Sequence, residues 1–445
     1  MDLPPYESLV AELAELIAIP SISADPAHGA DVVLAAEWVA ARIRRAGGTA
    51  DVVPWGVRPL VVGEIRASTN AENAPTILCY GHFDVQPPDP LDLWESEPFA
   101  LVERDGWLYA RGIADDKGQL YMLLKAAELL AAAGELPVNL RFACDGEEEV
   151  GGHSITEWID ADDRGADAAI VFDGGMVERD VPAFNIAVRG VCYFHVTVTT
   201  GERDLHSGVY GGASLNAMHA LITTLSAVLP RDGRLPGELR VGVVEPPEAE
   251  TSSWESLPRG EDEIAAAGSH PADPAAADEF YLRTWAEPSL DIHGIEGGSP
   301  VLQKTVIPVQ AQANLSIRLV GNQDPTVISA ALEDLLLKAA PTGAEVSVTK
   351  LSSAPPGQVP ADARAIALGQ DAFEEVLGIR PLLIRSGGAI PLVSELAARG
   401  VPTILSGFSL NESNIHSPNE RIPAAYLPLG IRTAAALYRH LGGLG

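Results

Sequence analysis

The stretch Thr76-Ile77-Leu78-Cys79-Tyr80-Gly81-His82-Phe83-Asp84-Val85-Gln86-Pro87 decides how the rest of the chain is read. Its first four residues make a short apolar run, with the length and composition of a strand buried on both faces. His82 and Asp84 then fall just past the C-terminal end of that strand, where open α/β sheets collect their ligands. A lone His-x-Asp is common, and a loop histidine bonded to a nearby carboxylate is its plain reading. Here, however, four further strand-like runs deliver acidic or imidazole groups at the same kind of place.

Outward from that stretch, the run 139–144 empties into Asp145-Gly146-Glu147-Glu148-Glu149-Val150-Gly151-Gly152, and the run 168–172 stops at Asp173. The run 401–405 leads to Asn414-Ile415-His416-Ser417-Pro418-Asn419-Glu420, while Asp115 and Asp116 precede a strong helical pattern over 119–133. Helical spacing recurs at 7–19, 31–46, 362–376 and 426–441, and strand-like runs lie near 51–53 and 60–66. Strands alternating with helices predict an α/β domain with a mostly parallel sheet flanked by helices.

After Asp173 the rhythm changes. Strand 191–199, helix 214–229, strand material over 301–320 broken near Pro308, helix 324–340 and strand 345–350 follow in the order of a small α+β sandwich of the ferredoxin-like kind. The chain of 445 residues exceeds the usual size of one core, so two domains are expected. They are a catalytic domain over 1–187 and 356–445, and an inserted domain over 188–355. Within the insert, 231–299 is an acidic excursion rich in Pro, Ala and Glu that carries Trp254 and Trp285, and it receives no role.

Composition narrows the function classes. The chain has 30 basic and 61 acidic residues, a net charge of −31, which argues against nucleic acid or an anionic membrane as partner. Cys79, Cys144 and Cys192 are odd in number and sit in apolar runs, so they read as buried free thiols of a reducing compartment. Met1-Asp2-Leu3-Pro4-Pro5 lacks the basic and apolar segments of a signal peptide, and no apolar run is long enough to span a bilayer. A cytoplasmic protein is expected.

The strand-end residues are His82, Asp84, Asp115, Asp116, Glu147, Glu148, Glu149, Asp173 and His416. Carboxylates crowded into one cleft repel unless a cation neutralises them. Imidazole with carboxylate and no thiolate suits zinc, with manganese and cobalt as alternatives. One carboxylate bridging two ions ~3.5–4 Å apart would complete a two-metal hydrolase site. The competing reading makes these acids separate loop and cap residues, with Asp115 or Asp116 capping the helix that follows.

The same residues carry a resemblance. The segments Gly-His-Phe-Asp-Val-Gln-Pro (81–87), Arg-Gly-Ile-Ala-Asp-Asp-Lys-Gly (111–118), Glu-Glu-Val-Gly (148–151), Asp-Leu-His-Ser-Gly-Val-Tyr-Gly-Gly (204–212), Lys-Thr-Val-Ile-Pro (304–308), Ser-Ile-Arg-Leu-Val (316–320) and His-Ser-Pro-Asn-Glu (416–420) occur in this order. Together they resemble the M20 family of metallopeptidases, and most closely its cytosolic non-specific dipeptidase and carnosinase branch. The resemblance implies two divalent metal ions, one held by His82, Asp115 and Asp173, the other by Asp115, Glu149 and His416. It implies that the Asp115–Asp116 peptide bond is cis, that Asp84 orients the His82 imidazole, and that Glu148 is the general base. The run of three glutamates also admits Glu147 and Glu148 as the base and ligand pair, although the following Val150-Gly151 matches the spacing of Glu148 and Glu149.

By the same resemblance the inserted domain is a lid and dimerisation domain, and His206 reaches the site of a second copy to stabilise the tetrahedral oxyanion. Thr305 and Arg318 match substrate-contacting positions, a guanidinium being suited to a peptide's terminal carboxylate. The implied activity is hydrolysis of dipeptides or short peptides with a free C-terminal carboxylate, by a homodimer. One departure stands out. The branch reads Arg-Glu-Gly-Gly-Ser-Ile-Pro where this chain has Arg385-Ser386-Gly387-Gly388-Ala389-Ile390-Pro391, so the preferred substrate side is open and an N-acyl amino acid deacylase is the alternative.

Overall fold

Leu9, Leu13, Leu16 and Ile17 give the first helix, α1 (Tyr6–Ile17), one buried stripe. Val32, Ala35, Ala36, Val39, Ala40 and Ile43 do the same for α2 (Gly29–Arg45). The computed structural model describes residues 2–388 and 390–445, so Ala389, one of the two departures from the dipeptidase pattern, lies outside the described residues. Helix α3 (Lys117–Ala133) is buried along most of its length and stops at Gly134, whose φ of 69° is the left-handed conformation that ends helices. Two further helices, α4 (Arg364–Leu377) and α5 (Tyr426–Leu441), complete the shell.

These helices cover a six-stranded sheet. Its strands are β1 (Thr49–Val53), β2 (Leu60–Ile65), β3 (Thr76–His82), β4 (Asn139–Asp145), β5 (Ala168–Phe172) and β6 (Thr403–Ser406). The spatial order is β1-β2-β4-β3-β5-β6. Pairings β4–β3, β3–β5 and β5–β6 are parallel, whereas β1–β2 and β2–β4 are antiparallel. The sheet is thus mostly parallel, with an antiparallel edge.

Two strands run further than their apolar cores indicate. β3 continues through Gly81 to His82, which pairs with Asp145 at the end of β4. Gly81 permits this because a side chain there would meet the Asp116 carboxylate at 2.7 Å. His82 is therefore the last residue of a strand rather than part of a loop.

The chain divides into two compact units. The first ends its N-terminal part at Ile186 and resumes with Val359–Ile384 and Glu395–Gly445; the second comprises Ala187–Gln358 and Arg385–Ser394. The short segment around Ser386 thus groups with the inserted unit, where a boundary at 355 had put it with the other.

The second unit is built on a four-stranded antiparallel sheet in the order Ser289–Glu296, Gln310–Leu319, Gly190–Thr199, Glu345–Ala354. Phe194, Val196, Val198, Leu315, Ile317 and Leu319 line one face and pack on Leu221, Leu225, Ile328, Leu332 and Leu336 of helices Ala217–Ser226 and Pro325–Ala339. Strand Ser289–Glu296 lies inside the excursion that carried no assignment. Only Leu290 of its side chains is buried and a bulge separates Ile292 from Gly294, so an edge strand with little apolar alternation escaped notice. The excursion also supplies Glu250, which pairs with Arg385 (Nη2 to Oε2, 2.8 Å) with both side chains buried.

Candidate metal centre

Five side chains of the first unit converge at one end of its sheet. His82 closes β3, Asp115 sits in the loop before α3, Glu149 lies in the turn after β4, Asp173 follows β5, and His416 lies in the segment after β6. They form two groups that share Asp115: His82, Asp115, Asp173 and Asp115, Glu149, His416. The Asp115 Oδ1 is 2.9 Å from His82 Nε2, while its Oδ2 is 2.9 Å from His416 Nε2. Asp173 Oδ1 lies 3.8 Å from His82 Nε2, and Glu149 Oε2 lies 3.0 Å from His416 Nε2. His416 has a φ of 60°, a left-handed conformation uncommon outside glycine.

The neighbouring acids separate into distinct duties. Asp84, fully buried, lies with its carbonyl 3.1 Å and its Oδ1 3.4 Å from His82 Nδ1. Its carboxylate also accepts the backbone N–H groups of Glu148 (3.3 Å) and Glu149 (3.1 Å). Glu147 is fully engaged elsewhere: it accepts N–H groups from Val57 (3.0 Å), Arg58 (3.1 Å) and Ser154 (3.2 Å), and the Ser154 hydroxyl. That leaves Glu148 and Glu149 free to face the cluster. Asp116 occupies the N-cap position of α3 without capping it; its Oδ2 instead accepts the His82 backbone N–H at 3.1 Å. The capping alternative is thereby closed for both aspartates, and the bond between them is cis.

Gln86 had drawn no notice in the sequence. Its side-chain amide donates to Glu149 Oε2 (2.9 Å) and to the Glu149 carbonyl (3.0 Å), fixing that carboxylate's orientation. Its place in the 81–87 motif was the available signal; sequence spacing alone could not reveal a partner 63 residues away.

Electrostatics follow from the crowding. Burial pushes the Glu148 carboxyl up to about 8; His82 opposes this, while Asp173, Glu149 and Asp115 add to it. Burial also raises Asp173, against its hydrogen bond to His82. Asp115 moves the other way: burial opposes, but bonds to His416 and His82 hold it well below the usual carboxylate range. His416 rises to about 10 through its contacts with Asp115 and Glu149.

The donor set fits a pair of cations. His82 Nδ1 faces the Asp84 carbonyl and carboxylate, and its Nε2 faces the carboxylates of Asp115 and Asp173. Two carboxylates at that nitrogen call for positive charge opposite them: without metal, against the burial of the ring, they raise His82 and keep it protonated, and a cation seated there would take the proton's place. Each group offers imidazole nitrogen and carboxylate oxygen from three residues, which is the composition of an open catalytic site for a borderline divalent metal.

The candidate residues of the second unit have a different character. His206 and Val306 pair in a two-residue ribbon, and the Ser207 N–H and hydroxyl both donate to the Thr305 carbonyl, at 3.0 and 2.8 Å. His206 and Thr305 are thus neighbours, both exposed. The His206 Nδ1 accepts the Gly208 N–H at 3.0 Å, which leaves its Nε2 as the free donor. Arg318, half-buried, stands opposite Ser289 and Val191 on the sheet.

Comparison with known proteins follows the same lines. A model of peptidase family M20/M25/M40 matches residues 78–440. The chain is 28% identical over 452 residues to the Cys-Gly metallodipeptidase of Schizosaccharomyces pombe, covering 96% of this chain and 94% of that one. Among solved structures, human carnosine dipeptidase 1 superposes with a TM-score of 0.73 at 27% identity, covering 98% of this chain and 96% of that chain. An M20 family metallo-carboxypeptidase from Sulfolobus solfataricus gives a TM-score of 0.81 at 26% identity, covering 99% of this chain and 100% of that chain.

Proposed function

The chain belongs to peptidase family M20/M25/M40, and from that premise we propose that it is a two-metal dipeptidase acting on dipeptides or short peptides with a free C-terminal carboxylate. The observation that carries the reading is Asp115, whose two oxygens address two histidines at 2.9 Å each. His82, Asp115 and Asp173 would hold one cation and Asp115, Glu149 and His416 the other. Zinc suits this donor set best, with manganese and cobalt as alternatives. Bound there, the cations supply Lewis acidity and acidify water.

The protein's own groups then have the following tasks. Glu148, held at its backbone by Asp84, takes a proton from the attacking water and returns it to the departing amine. His206, from the second copy of a homodimer, donates its free Nε2–H to the developing oxyanion. Thr305 and Arg318 receive the substrate's carboxylate. Among the described residues the Arg318 guanidinium has no hydrogen-bond or ion-pair partner, so its fork is available for two parallel bonds. Residues 1–187 and 356–445, apart from the Arg385–Ser394 segment that groups with the inserted unit, act as the catalytic domain, and 188–355 act as lid and dimerisation domain, closing over the substrate to exclude water. No helix among the described residues is long and apolar enough to cross a membrane, and a cytoplasmic location is proposed.

Ser386 supports a second reading. Its hydroxyl accepts the Gly388 N–H at 3.1 Å, where the branch has a carboxylate, so an N-acyl amino acid could take the place of a free amine. A substrate panel on apoenzyme reloaded with zinc, manganese or cobalt separates the two. Cys-Gly and β-Ala-His are expected to be hydrolysed with loaded metal, and their C-terminal amides poorly. Preference for N-acetyl amino acids would favour the deacylase. Inactivity of the fully loaded protein on both classes would refute both readings.

A further inference from the structure

The segment that presents His416 ends in Glu420, whose side chain is fully buried. Its Oε2 accepts Arg111 Nη1 at 2.7 Å and the Gly112 N–H at 3.0 Å. Its Oε1 accepts the Ala114 N–H at 2.8 Å and the Asp115 N–H at 3.1 Å. Its backbone carbonyl takes a further N–H, from Ala110, at 3.1 Å. Arg111, equally buried, uses its other terminal nitrogen on the Pro87 carbonyl at 3.1 Å.

This places one carboxylate at the junction of three segments that carry candidate ligands. The run 110–115 belongs to neither helix nor strand, so its buried N–H groups have no ladder to satisfy them. Glu420 satisfies three of them with charge-assisted bonds, and the last is that of Asp115 itself. Through its own chain it fixes the start of that connection four residues beyond His416, and through Arg111 it reaches the segment that follows His82.

The two histidines do not depend on this junction equally. His82 is the last residue of β3, paired with Asp145 in the sheet. His416 lies outside helix and strand with its side chain 51% exposed. Besides the direct contact of His416 Nε2 with Asp115 Oδ2 at 2.9 Å, the bond from the Asp115 N–H to Glu420 Oε1 at 3.1 Å ties the His416 segment to Asp115. We infer that Glu420 is a positioning residue that sets the spacing of Asp115 from His416, so that the cation held by Asp115, Glu149 and His416 depends on it more than the cation held with His82. The inference rests on the two-metal reading of the site.

The test is a chelator-competition titration with zinc alone on the full chain, comparing wild type with Glu420→Gln and Glu420→Asp. The amide would turn an N–H group toward donors that need an acceptor; the shorter acid keeps the charge but withdraws it. Both variants are expected to retain the tighter zinc ion and to weaken the other by about 10–100-fold, Glu420→Asp less than Glu420→Gln. Turnover should return when zinc is raised to refill the weaker position. Unchanged affinity for both ions in a cooperatively melting variant overturns the inference, and so does equal weakening of both, which would mark general loosening. If Glu420→Gln does not fold, the same two criteria are applied to Glu420→Asp. Wild-type protein that binds fewer than two ions would sink the two-metal reading instead, before the variants are compared.

Discussion

The two units hold their candidate residues in opposite ways. In the first, the carboxylates around the centre are tied to backbone N–H groups: Asp84 to Glu148 and Glu149, Glu147 to Val57, Arg58 and Ser154. In the second, His206 is exposed with one ring nitrogen free, and the Arg318 guanidinium has no hydrogen-bond or ion-pair partner among the described residues. The contrast is the one that the proposed roles require. Ligands for a fixed cation gain from being set in place beforehand, since a displaced donor costs affinity. Groups that meet a transient substrate must keep unspent hydrogen-bonding capacity until it arrives.

The hardest blow to this contrast falls on Glu148, whose backbone N–H is held by Asp84 and whose carboxyl accepts no hydrogen bond among the described residues. Glu148→Gln is expected to lower kcat by about 10²–10⁴-fold with metal content unchanged. Near-normal hydrolysis by that variant would remove Glu148 as the base. His206→Ala tests the second unit, with an expected loss of about 10²–10³-fold in kcat and little change in KM. A change confined to KM would reduce His206 to a binding contact.

Tied residues should report through stability first. Glu147→Gln turns an amide toward N–H donors in a buried pocket, and a cost of about 1–3 kcal/mol is expected in denaturant unfolding. An unaltered midpoint would mean that the Val57–Ser154 tie is dispensable. The smallest effect lies away from the centre, at Glu12. Burial would raise its carboxyl, but bonds from Lys125, Arg42 and Tyr121 outweigh this and hold it at about 2 against an ordinary 4.5. A lowered folded value stabilises above the ordinary one and is lost as pH falls. Between pH 4.5 and 2 the wild type should therefore lose stability more steeply than Glu12→Gln; parallel curves would exclude the cluster as an acid-sensitive tie.

The residues of the first unit were legible because each element announced itself separately. Apolar runs gave β3, β4 and β5, and the acids directly after them gave the centre. The ties were not legible, since Glu147 to Val57 and Gln86 to Glu149 bridge 90 and 63 residues with no periodic signature. The strand Ser289–Glu296 was missed for another reason: an edge strand needs little apolar alternation, and the pattern of Leu290, Ile292 and Ile295 across a bulge resembles neither period. Asp115 and Asp116 show the limit from the other side. Adjacent in sequence and alike in chemistry, they take different partners: Asp115 meets the His82 and His416 side chains, and Asp116 accepts the His82 backbone N–H.

That edge strand changes what can be trimmed from this protein. Shortening the acidic region between the two helices of the second unit looks harmless on composition. It would strip one margin from the sheet, leave the Arg318 side of strand Gln310–Leu319 bare, and take both Glu250 and Trp254 away from the buried Arg385 guanidinium. A minimal version of the enzyme would have to retain Glu250 and the segment from Ser289 onward, or replace Arg385 together with them.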